Sequence, residues 1–264
     1  MKPLKLYEKL PTRIKRQLNK LYTYFPDRTI ITDIDGITYK LDLSKLVHSQ
    51  MYFYGYWEKY TTKLFDKYII PGMTVMDIGA STGVHTLRMA KLVGITGLVY
   101  AFEPSNWMYE RLCENISLNN FHNIVVEKFA LSEVDAKAIF LSEQHDRVDK
   151  KQNSREYIKM DYVKLDTYVK RMTINKIDFI KIDVDGYETR VLEGAKQTIK
   201  KNLPIMVIEM GRGLQEAYER SLEELITLLE SFGYKFYNEK TEEEYQNLIE
   251  SLPEKASVNV LCKV

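Results

Sequence analysis

The chain has 264 residues, 45% of them hydrophobic and 28% charged, with a formal net charge of +1 at pH 7. That balance fits a globular protein with a substantial core and excludes a molecule whose whole surface attracts polyanions. No apolar run reaches the roughly 20 residues of a membrane span, and Cys113 and Cys262 stand too far apart, with no Cys/His cluster, to suggest a disulfide framework or a zinc site.

The first 21 residues are basic. Lys2, Lys5, Lys9, Arg13, Lys15, Arg16 and Lys20 are opposed only by Glu8, while Leu6, Leu10, Ile14, Leu18 and Leu21 recur at helical spacing. Two readings stand open: a helix packed on the domain with a solvated basic face, or a surface that meets anionic lipid head groups or a phosphate-bearing substrate. The segment lacks the apolar stretch and cleavage site of a secretory signal, so a cytoplasmic location is expected, with peripheral membrane contact through residues 1–21 on the second reading. Alternating residues around Asp35-Gly36 predict a β-hairpin over Thr29 to Leu43. An aromatic-rich stretch follows from Met51 to Tyr60. Residues 1–60 are read as an N-terminal extension and 61–264 as the catalytic domain.

From Thr74 onward, strands and helices alternate. Strands are expected at Thr74–Ile78, Leu98–Phe102, Ile124–Phe129, Ile177–Ile182 and Ile205–Ile208. Helices are expected at Gly83–Val93, Trp107–Asn119, Glu188–Ile199 and Ser221–Phe232. Such alternation predicts right-handed crossovers and a mostly parallel sheet with helices on both faces. Tyr234–Tyr237 and Ser257–Val264 are expected to pair as an antiparallel edge, joined by the acidic stretch from Glu239 to Glu250. Leu131 to Asp166 is hard to read beyond a strand at Ala136–Leu141 and a polar loop from Glu143 to Arg155, either a surface insertion or part of a lid.

Three motifs carry the chemistry. In the first, Val75-Met-Asp77-Ile-Gly79-Ala80-Ser81-Thr82-Gly83-Val-His85-Thr86, a buried strand ends in a carboxylate and a glycine-bearing turn opens a helix. Gly79 and Gly83 permit a sharp turn, and the helix start offers free N–H groups. The spacing is not the dinucleotide G-x-G-x-x-G, because Ser81 stands where the second glycine belongs, which counts against a nicotinamide oxidoreductase. The second motif is Ala101-Phe-Glu103-Pro104. An acid at the end of the next strand is placed to accept from both hydroxyls of a ribose. Asp77, the turn and Glu103 together describe a nucleoside pocket.

The third motif is Ile180-Lys181-Ile-Asp183-Val-Asp185-Gly-Tyr-Glu188. A lysine inside an apolar strand needs a partner, for which Asp77, Asp183 and Glu209 are candidates. Asp183 and Glu209 fall at strand ends, where open α/β sheets place their sites. This carboxylate set reads as catalytic or ligand-binding. It could hold a divalent metal, although nothing in the spacing requires one, and no metal is assigned.

These residues resemble the successive motifs of FkbM-type methyltransferases, a resemblance to which Leu165-Asp166 and Trp57-Glu58 also contribute. It runs from about Tyr52 to Glu209. It implies a Rossmann-like class I methyltransferase fold with a mostly parallel seven-stranded sheet, S-adenosylmethionine as cofactor, and methylation of a hydroxyl on a sugar, glycolipid or secondary metabolite. By the same resemblance Asp77, Gly79 and Gly83 line the methionine side of the cofactor, Glu103 holds the ribose, Ala130 lies near the adenine, and Trp57-Glu58 closes over the methionine end. Ala80, Ser81, Thr86, Pro104 and Asp183 complete the expected cofactor contacts. Ser81 departs from the family, which commonly has Asn there.

Methyl transfer to a hydroxyl needs a group to take the proton. Asp183 is the first choice and Glu209 the second, with Lys181 holding Asp183 ionised. His85 is read as a packing or hydrogen-bonding residue. Tyr52, Phe53, Tyr54, Tyr56 and Trp57 are read as either a stacking platform for the acceptor or core packing. The expected partner is a hydroxylated small molecule or glycan. No nucleic acid is expected, since the Asn/Asp-Pro-Pro-Tyr/Phe motif of base methylation is absent; nucleic-acid methylation and a non-catalytic binding module remain the rival readings.

Overall fold

The structure is a computed structural model that describes residues 29–142, 156–216, 218–253 and 256–264. The expected basic helix over residues 1–21 and the polar loop from 143 to 155 lie outside the described residues.

A hairpin comes first. Strands β1 (Thr29–Ile34) and β2 (Ile37–Asp42) pair antiparallel with Ile34 opposite Ile37. Asp35 and Gly36 both take positive φ, 54° and 73°, the conformation of a two-residue turn that matches strand twist. Two helices follow, α1 (Leu46–Tyr54) and α2 (Lys59–Tyr68). The hairpin buries Ile37, Tyr39 and Leu41 against Met51 of α1 and against Val84 and Leu87 of α3 (Val84–Val93).

The main sheet contains β3 (Thr74–Ile78), β4 (Leu98–Phe102), β5 (Ile124–Glu127), β9 (Phe179–Ile182), β10 (Ile205–Met210), β11 (Lys235–Asn238) and β12 (Val258–Lys263). Its order is β11-β12-β10-β9-β3-β4-β5. From β3 the chain builds outward through β4 and β5, then returns to lay β9 on the other side of β3, so the order reverses between β3 and β9. A crevice opens outside the carboxyl ends of strands at such a point. The antiparallel strand β12 lies between β10 and β11 rather than at the border, and β11 forms the edge.

Side chains alternate across this sheet. Met76, Ile78, Ile180, Ile182, Met206 and Ile208 face one core, covered by α5 (Leu165–Arg171), α6 (Glu188–Glu193), α7 (Lys196–Asn202) and α9 (Leu222–Glu230). Val75, Val99, Phe179, Val207 and Leu261 face the other core, under α2 and α3. Asp77, Lys181 and Glu209 each stand two residues beyond a member of this second set. They therefore rise from one face at the strand ends.

Most expected elements appear within a few residues of their predicted bounds, with α4 at Asn106–Ser117. The single helix expected over Glu188–Ile199 is two helices, α6 and α7. A Cβ on Gly194 would lie 2.0 Å from the Ser132 carbonyl oxygen, so the chain must pass close there. Asp166 restarts the helix by accepting from the N–H groups of Gln197 and Thr198. The stretch from Leu131 to Asp166 holds a small sheet of β6 (Ala130–Leu131), β7 (Ala136–Ser142) and β8 (Glu156–Val163), of which only β7 was expected. Short helices α8 (Arg212–Glu216) and α10 (Leu248–Ser251) complete the chain.

Candidate active site

The glycine turn joins β3 to α3. Gly79 and Gly83 have φ of 86° and 88°. A Cβ on Gly79 would lie 1.8 Å from the carbonyl oxygen of Asp183, and one on Gly83 would lie 2.5 Å from Leu112 Cδ1. Gly79 thus sets how closely the turn approaches the end of β9. Ser81 also adopts a left-handed φ of 49°, a conformation that Asn tolerates better than Ser. The turn keeps its shape nonetheless, and the Ser81 hydroxyl contacts Met108 Sδ at 3.6 Å. Ala80 is buried beside it.

Glu103 and Pro104 follow β4. One Glu103 oxygen accepts from Ser81 N at 2.8 Å and the other from Ser105 N at 2.8 Å. Each keeps a further lone pair. Burial pushes this carboxyl up to about 7; the two backbone N–H groups only partly oppose that, and the charges of Asp77 and Asp185 add to it.

A charged column crosses β3, β9 and β10. Asp77 is fully buried and stands opposite Lys181 in the β3–β9 ladder. Its Oδ2 accepts from Thr86 Oγ1 at 2.6 Å, and its Oδ1 is buried with no hydrogen-bond partner. Lys181 is 2% exposed and donates to Asp183 Oδ2 at 2.7 Å. Burial alone would lower the lysine, but Asp183, Asp77 and Glu58 hold it firmly cationic. Burial likewise pushes Asp183 up. The charge and hydrogen bond of Lys181, with smaller contributions from Glu209 and His85, outweigh it and hold Asp183 below the usual carboxylate range. Glu209 accepts from Ser257 Oγ. Burial, then the charge of Asp183, push it up to about 8. One oxygen each of Asp183, Asp185 and Glu209 lie within 4.8 Å of one another.

Glu58 precedes α2 with a left-handed φ of 48° and meets His85 Nε2 at 2.9 Å. Among the charges acting on Glu58 are those of Lys181 and Asp183, which ties this corner to the column. His85 also packs edge-on against Phe65, so it is held from two sides. Of the expected aromatic platform, Tyr54 and Tyr56 stack at 5.9 Å, whereas Tyr52 and Trp57 pack against the hairpin core. Ala130 pairs with Tyr162 in the small sheet and is partly buried.

Glu188 does not join the other carboxylates as a reactive group. It accepts from Val184 N, Gly186 N and Gln215 Nε2, and so pins the loop that carries Asp185. Sequence reasoning missed Ser257 and Asn259, which the antiparallel β12 brings beside Glu209. It also missed His48, whose Nδ1 accepts from Asp42 N at 2.9 Å and whose Nε2 therefore donates to Thr82 Oγ1 at 2.9 Å. Such long-range pairings leave no local signal.

The strand order and the carboxylate-tipped glycine turn define a Rossmann-like class I methyltransferase. The chain belongs to the FkbM methyltransferase family: residues 77–236, more than half of it, match the Methyltransferase FkbM domain. The matched region is a methyltransferase domain. Among solved structures it is similar in fold to an FkbM methyltransferase from Methylobacillus flagellatus KT, with 16% identity, a TM-score of 0.47, and coverage of 77% of this chain and 50% of that one. The chain thus spans half the length of that protein. It is also similar to a putative rRNA methylase from Clostridium thermocellum, at 12% identity and a TM-score of 0.47, covering 78% of this chain and 93% of that one. Aeropyrum pernix fibrillarin with natively bound S-adenosylmethionine shares 12% identity at a TM-score of 0.48, covering 92% of this chain and 86% of that one. None of the curated proteins matches the sequence.

The residues fit the cofactor. The unpartnered Asp77 Oδ1 offers a buried acceptor at one end of the turn. The free lone pairs of Glu103 offer two acceptors at the other. Among the described residues, no helix is long and apolar enough to cross a membrane.

Proposed function

We propose that this chain methylates a hydroxyl group of a sugar, a glycolipid or a secondary metabolite, with Asp183 taking the proton. The observation that carries this reading is the pair Lys181–Asp183: a fully buried ammonium holding a carboxylate ionised at the switch point of the sheet. An ionised carboxylate is what a hydroxyl needs and what an already nucleophilic acceptor does not. S-adenosylmethionine supplies an electrophilic methyl carbon when bound. Glu103 would accept from the ribose hydroxyls. Asp77 and the turn from Gly79 to Gly83 would line the methionine side, with Thr86 orienting Asp77 and Pro104 directing the chain away from the ribose. Ala130 would lie by the adenine. Glu58, tied to His85, would close the methionine end. Asp183 then orients the acceptor hydroxyl and receives its proton. The carboxylates at the mouth disfavour a nucleic-acid backbone.

The test is Asp183→Asn, which keeps shape but removes the base. S-adenosylmethionine affinity should stay near normal while S-adenosylhomocysteine release, measured over panels of glycans, glycolipids and hydroxylated metabolites, falls by about 10²–10⁴. Normal turnover in this variant would transfer the role to Glu209.

We also propose that residues 1–21 give a cytoplasmic enzyme a peripheral contact with anionic membranes. Deleting them should reduce sedimentation with anionic vesicles and leave cofactor affinity intact. Equal sedimentation would return the segment to a packed helix.

A further inference from the structure

We propose that Asp183, Asp185 and Glu209, completed by Asn259, bind a divalent cation at the carboxyl ends of β9 and β10. The inference rests on the hydroxyl-methylation reading above.

One oxygen from each of the three carboxylates lies within 4.8 Å of the other two. A cation that holds oxygens at about 2.0–2.6 Å can sit among donors so spaced. Carboxylates gathered this closely need a shared proton or a cation between them, and a cation would displace the hydrogen bond that Glu209 shares with Asp183. Lys181 reaches Asp183, but its bond is directed at Asp183 Oδ2.

The second observation is independent of the carboxylates. Asn259 is 7% exposed, and its Oδ1 is buried with no hydrogen-bond partner. It stands directly across from Glu209 in the β10–β12 ladder, so both side chains leave the same face of the sheet. Ser257, just before β12 and two residues from Asn259, already reaches Glu209, so this carboxylate is approached from that end of the strand. Buried acceptors rarely stay unpaired, and a cation satisfies a carbonyl oxygen and a carboxylate oxygen alike.

The chemistry of the donors selects the ion. All four are oxygens, which suits magnesium, manganese or calcium and disfavours the softer metals that prefer sulfur and imidazole. Four protein oxygens leave coordination positions open. A hydroxyl of the acceptor would take one of them and be held beside Asp183. The cation would then lower the proton affinity of that hydroxyl and offset the surplus negative charge of the mouth.

Manganese titration of the full chain, followed by electron paramagnetic resonance of the free ion, tests the site. One saturable ion per chain is expected. Asp185→Asn and Asn259→Leu should each weaken binding by about 10–100-fold, the range for donors at or next to a metal. Asp185 is exposed, so its variant is the safer one for the fold, which near-ultraviolet circular dichroism checks. Three results would overturn the inference: no saturable binding up to about 10 mM, well above the weak end of oxygen-ligand sites; unchanged binding in Asp185→Asn; or release of manganese by saturating S-adenosylmethionine, which would make the cluster the seat of the cofactor's ammonium. Cofactor affinity measured in EDTA separates the two readings. Cofactor binding without manganese binding sinks only the cation site, whereas loss of cofactor binding in a folded chain sinks the methyltransferase reading itself.

Discussion

Glu103 and Asp183 flank the glycine turn of β3, one beyond β4 and the other beyond β9. Both are carboxylates at strand ends, Glu103 buried and Asp183 partly so, yet they are shifted in opposite directions. Glu103 is held by two backbone N–H groups and is pushed up to about 7 by burial. Asp183 is held by a buried ammonium and lies below the usual carboxylate range. The two backbone amides only partly offset the loss of water around Glu103, whereas the full charge of Lys181 outweighs it at Asp183. The proposed binding half of the site is therefore fastened by backbone geometry, and the proposed chemical half by charge balance.

That contrast breaks most sharply at Lys181. Lys181→Met removes the cation and leaves the buried Asp77 and the partly buried Asp183 without it. A destabilisation of about 3–5 kcal/mol is expected, as for other buried pairs broken from one side. Chemical denaturation measures it. Adding Asp183→Asn should recover part of the loss, because the unpaired charge then disappears. If the single variant is as stable as the parent, Lys181 does not balance this column.

Glu103 gives the next effect. Replacing it by Ala would also release the Ser81 and Ser105 amides, so Glu103→Gln is the cleaner probe. Lost charge-assisted bonds to the ribose are worth about 1.5–3 kcal/mol each, gross. The raised carboxyl adds a pH signature. Below about 7 Glu103 takes up a proton and loses acceptor strength, so cofactor affinity should rise as pH increases through that value. Calorimetry of the parent and of Glu103→Gln compares the slopes. The variant should bind more weakly at pH 8 and lack the dependence centred near 7, and identical profiles would refute the ribose assignment.

How much of this could be read from the chain depends on range. The strand-ending acids and the glycine turn are local features, and the structure places them at the strand ends as expected. Lys181 was legible because a charge interrupts an apolar run. Its pairing with Asp183 was legible as well, since the two stand two residues apart on one face of the strand; the charge of Glu58 beside them was not, because it reaches the column only through the tertiary fold. Helices α1 and α2 escaped because Lys45 and Glu58 cap them without side-chain hydrogen bonds, and Glu58 is held in a strained conformation by His85. The break at Gly194 escaped because its cause, the Ser132 carbonyl, is 62 residues away in sequence. Asn259 reaches the site only through an antiparallel strand at the far end of the chain.

The smallest effect belongs to a third mode of attachment, neither backbone anchor nor charge balance. His48 links the hairpin to the glycine turn as a neutral ring: Asp42 N donates to its Nδ1, so the proton sits on Nε2 and is given to Thr82. Asn115 reinforces the same junction, accepting from Lys40 N and donating to the Thr82 carbonyl. Burial pushes His48 down to about 4, because a charged imidazole would lose its water, and the nearby Asp42 only partly opposes this. The unfolded chain protonates this histidine near its ordinary value while the folded chain does not, so the unfolded state binds more protons in between. Stability from this group is complete above about 6.5 and is lost as pH falls toward 4. At pH 5.5 the loss should be about 1 kcal/mol relative to pH 8. His48→Gln keeps an acceptor and a donor but cannot titrate, so it should flatten that part of the profile while leaving cofactor affinity at pH 8 within about twofold. Denaturant melts of both proteins at the two pH values decide the matter. If the variant keeps the parent's full acid sensitivity, the proton is taken up elsewhere and His48 is only a packing residue at this junction.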